Sequence, residues 1–318
     1  MRCLALVLLG LCPCLASAED ETALRLARLH ASYEGWLSEN GLDGVLAAKR
    51  QGVALAPLEK GWPADRPVEL ASLSKAITAI CAAELVRTGR LTWDLRAHPE
   101  LDISLEQLIA QSGGLSPDQT QITMPGWLDK PATDGAAQTL AGVLQRGGAH
   151  GSPGQYEYNN ENYALAGAII EEATGQPYAE ICVEMALEPA GVTGQPSPRS
   201  GAFLPWGGWQ MSAADFAAWH GYWFGQSAYA ADLRATPHVE VEPGVFYGLG
   251  TFAREFPRGN SYWHFGALCF PGRLETGSYA VTVFSDCTVV AAYSGCLEWS
   301  DLRRLDALVI EAVFGELE

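Results

Sequence analysis

"PGQYEYNNENYALAGAIIEEATGQPY", residues 153–178, joins two signals. Its second half spaces apolar residues for a helix over 161–174, ended by Gly175 with Pro177 beyond. Its first half places Tyr158, Asn159 and Asn160 just ahead of that helix. In extended backbone alternate side chains share a side, so Tyr158 and Asn160 are expected to face one pocket. Alone, the tyrosine reads equally well as a core or surface aromatic. The reading turns on what else the chain supplies to face it.

"ASLSKAITAICAAEL", residues 71–85, supplies a serine and a lysine. Ser72 and Lys75 are three apart, on one face of a helix expected over 72–87 and stopped by Gly89. That helix is nearly all Ala, Ile, Leu and Val after Lys75, so it is expected to be buried. An unpaired buried ammonium is costly and needs a reason. An acyl-transfer nucleophile needs an adjacent proton acceptor and N–H donors for an oxyanion, and a serine at a helix N-terminus has both here. Without Tyr158, the pair reads as a capping serine beside a snorkelling lysine. With it, lysine and tyrosine form a proton-handling pair. Both start near pKa ~10, about three units too high for neutral pH, and the sequence leaves open which is the base.

The chain resembles the serine β-lactamase and penicillin-binding-protein superfamily, nearest its class C β-lactamase and esterase branch. The S-x-x-K motif matches Ser72-Leu73-Ser74-Lys75 and the Y-x-N motif Tyr158-Asn159-Asn160. "ISLEQLIAQSGGLSP" resembles the family's H-T-S-G-L segment, with Gln111 and Gly113 where His and Ser are usual; "GGWQMSAADFAAW", residues 207–219, resembles another family helix start. The resemblance spans about 45–295. It implies Ser72 as nucleophile, Lys75 and Tyr158 as proton carriers, and Asn160 as a residue that binds substrate or orients Lys75.

The family's Lys-Thr-Gly or His-Ser/Thr-Gly strand is represented by His264-Phe265-Gly266. The resemblance places the N–H groups of Ala267 and Ser72 in the oxyanion hole, with Gly266 keeping the wall thin enough for substrate. Phe265 replaces a hydroxyl that holds a carboxylate in lactam-recognising members. His264 is mostly neutral at pH 7 where lysine would be charged. A lost charge-assisted hydrogen bond is worth roughly 1.5–3 kcal/mol. The expectation is therefore an esterase or amide hydrolase acting on neutral or apolar acyl groups. The alternatives are a β-lactamase or D-alanyl-D-alanine peptidase, and a non-catalytic peptidoglycan- or peptide-binding protein on the same fold. Trp206 and Trp209 are candidates for the acyl pocket.

The expected fold is α/β of the α+β type, β-lactamase/transpeptidase-like. Residues 19–90 and 205–318 would form an antiparallel sheet flanked by N- and C-terminal helices, and 91–204 a mainly helical insert. Helices are expected over 21–38, 178–187 and 299–314, with a hairpin at 44–57 turning at Gln51-Gly52. Ser104 and Gln107 form a capping-box pattern and Ser212 caps another helix. After Gly244 the period changes to two, and "VFYGLGTFARE", "SYWHFGALCF", "GSYAVTVFSDC" and "TVVAAYSG" read as successive strands.

Residues 1–18 carry a positive start, an apolar run from Leu4 and an Ala16-Ser17-Ala18 cleavage pattern, so a signal peptide and a periplasmic or secreted protein are expected. The formal net charge of −17 argues against nucleic acid or an anionic membrane surface as partner. Small esters, amides or peptides are the expected substrates. Six scattered histidines and no C-x-x-C pair or H-E-x-x-H give no metal site, and no cofactor is expected. Of the cysteines beyond the leader, Cys287 is expected to pair with Cys269 or Cys296, and Cys81 and Cys182 to be small buried thiols.

Overall fold

The computed structural model describes residues 18–130 and 135–316. The expected leader, but for Ala18, lies outside them. The antiparallel sheet runs, in spatial order, Val53–Ala54, Gly44–Arg50, Cys287–Ser294, Leu274–Val283, Gly259–Phe270, Thr251–Phe256, Val245–Gly248 and His238–Glu242; Leu58–Lys60 also pairs with Gly44–Arg50. Helix α1 (Ala18–Asn40) and the C-terminal helix Trp299–Phe314 cover one face. Leu29, Tyr33, Trp36 and Leu37 of α1 bury with Leu305 and Val309 against Leu46, Tyr279, Val281 and Ala291 of the sheet. The spacing of those α1 residues is the helical one that puts a single stripe on the sheet.

The other face carries α2 (Ser74–Arg87), preceded without a break by a 3-10 turn at Ala71–Leu73. From Ser74 to Leu85 every residue of α2 is buried, Lys75 included. Beside it lie α3 (Leu105–Ile109), α4 (Thr120–Trp127), α5 (Gly135–Gln145) and α6 (Asn160–Thr174). The expected caps are formed: the Ser104–Gln107 capping box opens α3, and Ser212 accepts from the Asp215 N–H ahead of Ala213–Gly221. Gly175 ends α6 at φ +64°, the left-handed conformation glycine adopts freely.

Three expectations change. "VFYGLGTFARE" is a hairpin, not one strand: Leu249 (φ 51°) and Gly250 (φ 77°) turn it between Val245–Gly248 and Thr251–Phe256. Positive φ at both central residues marks a type I′ turn, whose twist suits a two-residue hairpin. The helix expected over 178–187 is α-helical only for Tyr178–Cys182, then widens into a π turn. The disulfides are Cys81–Cys182 and Cys269–Cys296, and Cys287 is free and buried. Cys287, opposite Val283, opens the strand whose far end leads to Cys296, and Cys269, opposite Glu275, lies at that far end too, while Cys81 of α2 meets Cys182 at the end of Tyr178–Cys182.

Candidate active site

Ser72 sits in the 3-10 turn just ahead of α2, and Lys75 in the first turn of α2. This shared helical stretch brings the Lys75 Nζ to 3.0 Å from Ser72 Oγ, with a second hydrogen bond of 2.9 Å to the Trp206 carbonyl. Ala71, immediately before the nucleophile, is held at φ 48°, a conformation L-residues avoid. Strain of this kind persists only where the surroundings over-determine it. Here they do: the Leu70 N–H donates to Trp209 O at 2.9 Å, and the Leu70 carbonyl accepts from Ser278 Oγ at 2.8 Å.

Lys75 is fully buried, and burial pulls its pKa down to about 7, with the nearby Asp118 carboxylate opposing the fall. Its ammonium lies 4.9 Å from the Tyr158 ring centre and 6.0 Å from that of Tyr163. Tyr158 is 37 % exposed, opening on the cavity. Desolvation nonetheless holds its hydroxyl above the ordinary tyrosine range, with a hydrogen bond to Ser72 pulling the other way. The two groups thus diverge: burial favours the protonated phenol of Tyr158 and the neutral amine of Lys75.

A cavity of about 390 Å³ opens over the serine, lined by Ser72, Tyr158, Asn160, Trp206, Ala267 and Leu268, with Gln121, Met124, Phe270 and Arg273 farther out. Tyr158 and Asn160 do share this pocket. Asn160 donates to Thr120 Oγ1 at 3.0 Å rather than to Lys75, and its backbone N–H donates to Asp118 at 3.1 Å. Trp206 lines the pocket; Trp209 is fully buried behind it, its N–H donating to Ser74 Oγ.

The strand Gly259–Phe270 departs most from expectation. Residues 259–263 pair with Thr251–Phe256, but 264–270 pair only with the strand on their other side. Their free edge meets the Ser72 turn, which is why five consecutive residues, Ala267 to Pro271, line the cavity. Ala267 therefore lies on the wall of the cavity that also holds Ser72. The other three positions are not on the cavity wall. His264 is buried, its ring 5.8 Å from Tyr158 and 5.4 Å from Phe252. Its Nδ1–H donates to the Phe265 carbonyl, leaving a bare Nε2 without a partner. Burial and the Lys75 charge lower its pKa to about 3, so it is neutral. Phe265 points through the sheet, stacked on Tyr279 at 4.9 Å and edge-on to Trp299. Gly266 faces protein, not substrate: a Cβ there would come 2.6 Å from Leu70 O and 2.4 Å from Ser278 Oγ. The glycine is needed so that the strand can press against the nucleophile's turn.

Asp118, which acts on Lys75 and braces Asn160, carried no sequence signal, nor did the Trp206 carbonyl, since any residue supplies a carbonyl. The α4 wall of the pocket, with Met124 and Pro125, was also unread; a proline in "TQITMPGW" argues against a helix there. Among the described residues no cluster of metal-ligating side chains is present.

Residues 40–313 match the Beta-lactamase family. The chain belongs to the Beta-lactamase family. Its likeness to individual relatives is lower. Protein flp of Staphylococcus aureus strain N315 is 30% identical over 138 residues, which span 39% of this chain and only 27% of that protein. Among solved structures, a D-stereospecific amidohydrolase from Streptomyces sp. superposes with TM-score 0.69 at 19% identity, covering 91% of this chain and 98% of that one. The D-amino acid amidase of Ochrobactrum anthropi SV3 gives 0.71 at 16% identity, covering 91% and 98%. A penicillin-binding protein from Bacillus halodurans gives 0.66 at 21%, covering 88% and 98%. These likenesses establish the β-lactamase/transpeptidase fold. Family membership and the Ser72–Lys75 geometry together support a serine hydrolase.

Proposed function

We propose that this β-lactamase-family chain is an exported serine hydrolase that cleaves esters or amides with uncharged acyl groups. The observation that carries it is the 3.0 Å contact between Ser72 and a fully buried Lys75 whose pKa lies at about 7. Neutral Lys75 takes the Ser72 proton as Oγ attacks the substrate carbonyl carbon. The N–H groups of Ser72 and Ala267 receive the oxyanion. Tyr158, still protonated, donates to the leaving group as the tetrahedral intermediate collapses to an acyl-serine, leaving a phenolate that deprotonates the incoming water while Lys75 returns its proton to the departing Ser72 Oγ. Water then attacks the acyl carbon, releasing the acid and restoring Ser72. Asn160 contacts the bound substrate from the cavity wall.

The uncharged acyl group is supported by what the strand edge lacks. His264 is neutral and lies behind Tyr158, and Phe265 is turned to the far face. Arg273 reaches the outer cavity, but its guanidinium is already bonded to the Pro125 and Leu128 carbonyls and to Asp129. The rest of the wall carries no charge: Met124, Trp206, Leu268 and Phe270 are apolar, and Gln121 is a neutral amide. Two disulfides fit an oxidising compartment and so the expected export. No helix among the described residues is long and apolar enough to cross a membrane.

A fluorophosphonate probe tests the nucleophile: a covalent label is expected, absent in Ser72→Ala. An unlabelled, well-folded protein would instead favour the peptide- or peptidoglycan-binding alternative. On the same preparation, p-nitrophenyl acetate turnover is expected to exceed nitrocefin turnover. The reverse would return the assignment to a β-lactamase or D-alanyl-D-alanine peptidase.

A further inference from the structure

Tyr158 belongs to no helix or strand, so the segment that carries it must be held by other means. Residues 151–159 are bonded onto 111–115: Gly151 N–H donates to Gly114 O at 2.7 Å, Gly154 N–H to Ser112 O at 2.8 Å, and Asn159 Nδ2 to Leu115 O at 2.8 Å. The two bonds nearest Tyr158 both end on one residue. Gln111 accepts the Glu157 N–H on its backbone carbonyl at 2.9 Å and the Asn159 N–H on its side-chain Oε1 at 3.0 Å. The residues before and after the tyrosine thus hang on a single partner. The same Oε1 accepts from Asn162 Nδ2 at 2.7 Å, joining this loop to the first turn of α6.

Gln111 holds this place at a cost. It is fully buried, with φ at 57°, in the left-handed region that is unfavourable for a residue with a Cβ. Its Nε2 is buried with no partner, a stranded donor of a kind that is itself destabilising. A methionine would fill much the same space with nothing stranded, but it could not accept the Asn159 N–H.

We propose that Gln111 is the positioning residue for Tyr158: its carbonyl and Oε1, gripping residues 157 and 159, fix where the phenol meets Ser72. This rests on the reading of Tyr158 as proton donor. Displacing a reacting group by about 1 Å can cost ~10²-fold in rate, so Gln111→Met is expected to lower kcat for p-nitrophenyl acetate about a hundredfold, with KM little changed. Gln111→Glu, which keeps an acceptor oxygen, is expected to recover most of that loss. The deciding measurement is a double-mutant cycle. In a Tyr158→Phe background Gln111→Met should cost nothing further, because the group it positions is gone. Full kcat in Gln111→Met, or the same fold loss in both backgrounds, overturns the proposal. An unchanged kcat in Tyr158→Phe alone overturns the reading of Tyr158 itself, and this role with it. Should Gln111→Met fail to fold, Gln111→Asn withdraws the acceptor by one methylene and carries the same cycle.

Discussion

Lys75 meets Tyr158 through the face of its ring, at 4.9 Å from the centroid, and not through its hydroxyl. Both groups bear on Ser72: Lys75 contacts its Oγ at 3.0 Å, and Ser72 opposes the upward push that burial gives the Tyr158 hydroxyl. In the proposed mechanism Ser72 thus stands between the two proton carriers.

The first consequence is a pH profile. Lys75 must be neutral to accept a proton, and its pKa is lowered to about 7 by burial. The acylation rate, read as kcat/KM for a neutral ester, is expected to rise tenfold per pH unit below 7 and to level off above it. Tyr158 stays protonated through this range, so no second limb is expected before strongly alkaline pH. A profile flat from pH 5 to 8 would remove Lys75 as the base.

The same burial affects stability. In the unfolded chain lysine titrates near ~10.4, in the native site at about 7. Between those values the unfolded state holds the extra proton, so stability rises with pH through that window; the penalty is full below pH 7. Lys75→Met removes it, while taking the Lys75 donor from the Trp206 carbonyl and from Ser72 Oγ. A gain of about 3 kcal/mol at pH 6, shrinking as pH approaches 10, is expected from urea denaturation. An equal change at both pH values would contradict the assigned shift.

Gly266→Ala introduces a Cβ 2.6 Å from Leu70 O and 2.4 Å from Ser278 Oγ. Such overpacking costs about 1–3 kcal/mol, and it pushes on the turn that carries Ser72. Both a lower denaturation midpoint and slower fluorophosphonate labelling are expected. Labelling at the parent rate would mean the turn tolerates movement of the strand.

Phe265→Thr restores the hydroxyl usual at this position but points it at Tyr279 and Trp299, through the sheet from Ser72. It is expected to destabilise the fold by about 1–3 kcal/mol and to leave nitrocefin turnover unchanged. A marked gain in nitrocefin turnover would place residue 265 back at the cavity.

Cysteine pairing is checked by mass. Among the described residues, alkylation of the denatured, unreduced chain is expected to modify Cys287 alone. Replacing Cys81 and Cys182 by alanine is expected to cost about 2–4 kcal/mol, because that bridge spans 101 residues and ties α2 to the insert.

What the sequence disclosed and what it hid follow a physical line. The Trp299–Phe314 helix emerges with the expected bounds because it buries one regular stripe, whereas α6, buried on all sides over its first turns, was legible from its apolar run and its Gly175 stop. The Ser72–Lys75–Tyr158 grouping was legible from motif and spacing. The hairpin at Leu249-Gly250 was not, since a leucine at positive φ gives no turn signal; it is held there by burial. The misplacement of His264, Phe265 and Gly266 came from treating neighbouring residues as sharing one wall. In a strand they alternate, so His264 and Gly266 face inward while Phe265 points out, and the cavity borrows only the free edge farther along. Gln111 was visible only as a departure from the family's histidine. Its grip on residues 157 and 159 depends on a backbone reversal that composition does not announce.

Gly250 sets the last consequence. A Cβ there would lie 2.4 Å from the α2 backbone at Lys75 and Ala76, as one at Gly266 would lie against Leu70. Two glycines thus seat the sheet directly on the main chain around the nucleophile, with no side chain between to be exchanged. On that side the chain has nothing to vary. Gln121, Pro125, Pro271 and Arg273, across the cavity, are all exposed. A change of substrate, in a laboratory library or in a diverging lineage, has its room on that outer wall, while the glycine-seated wall stays as it is.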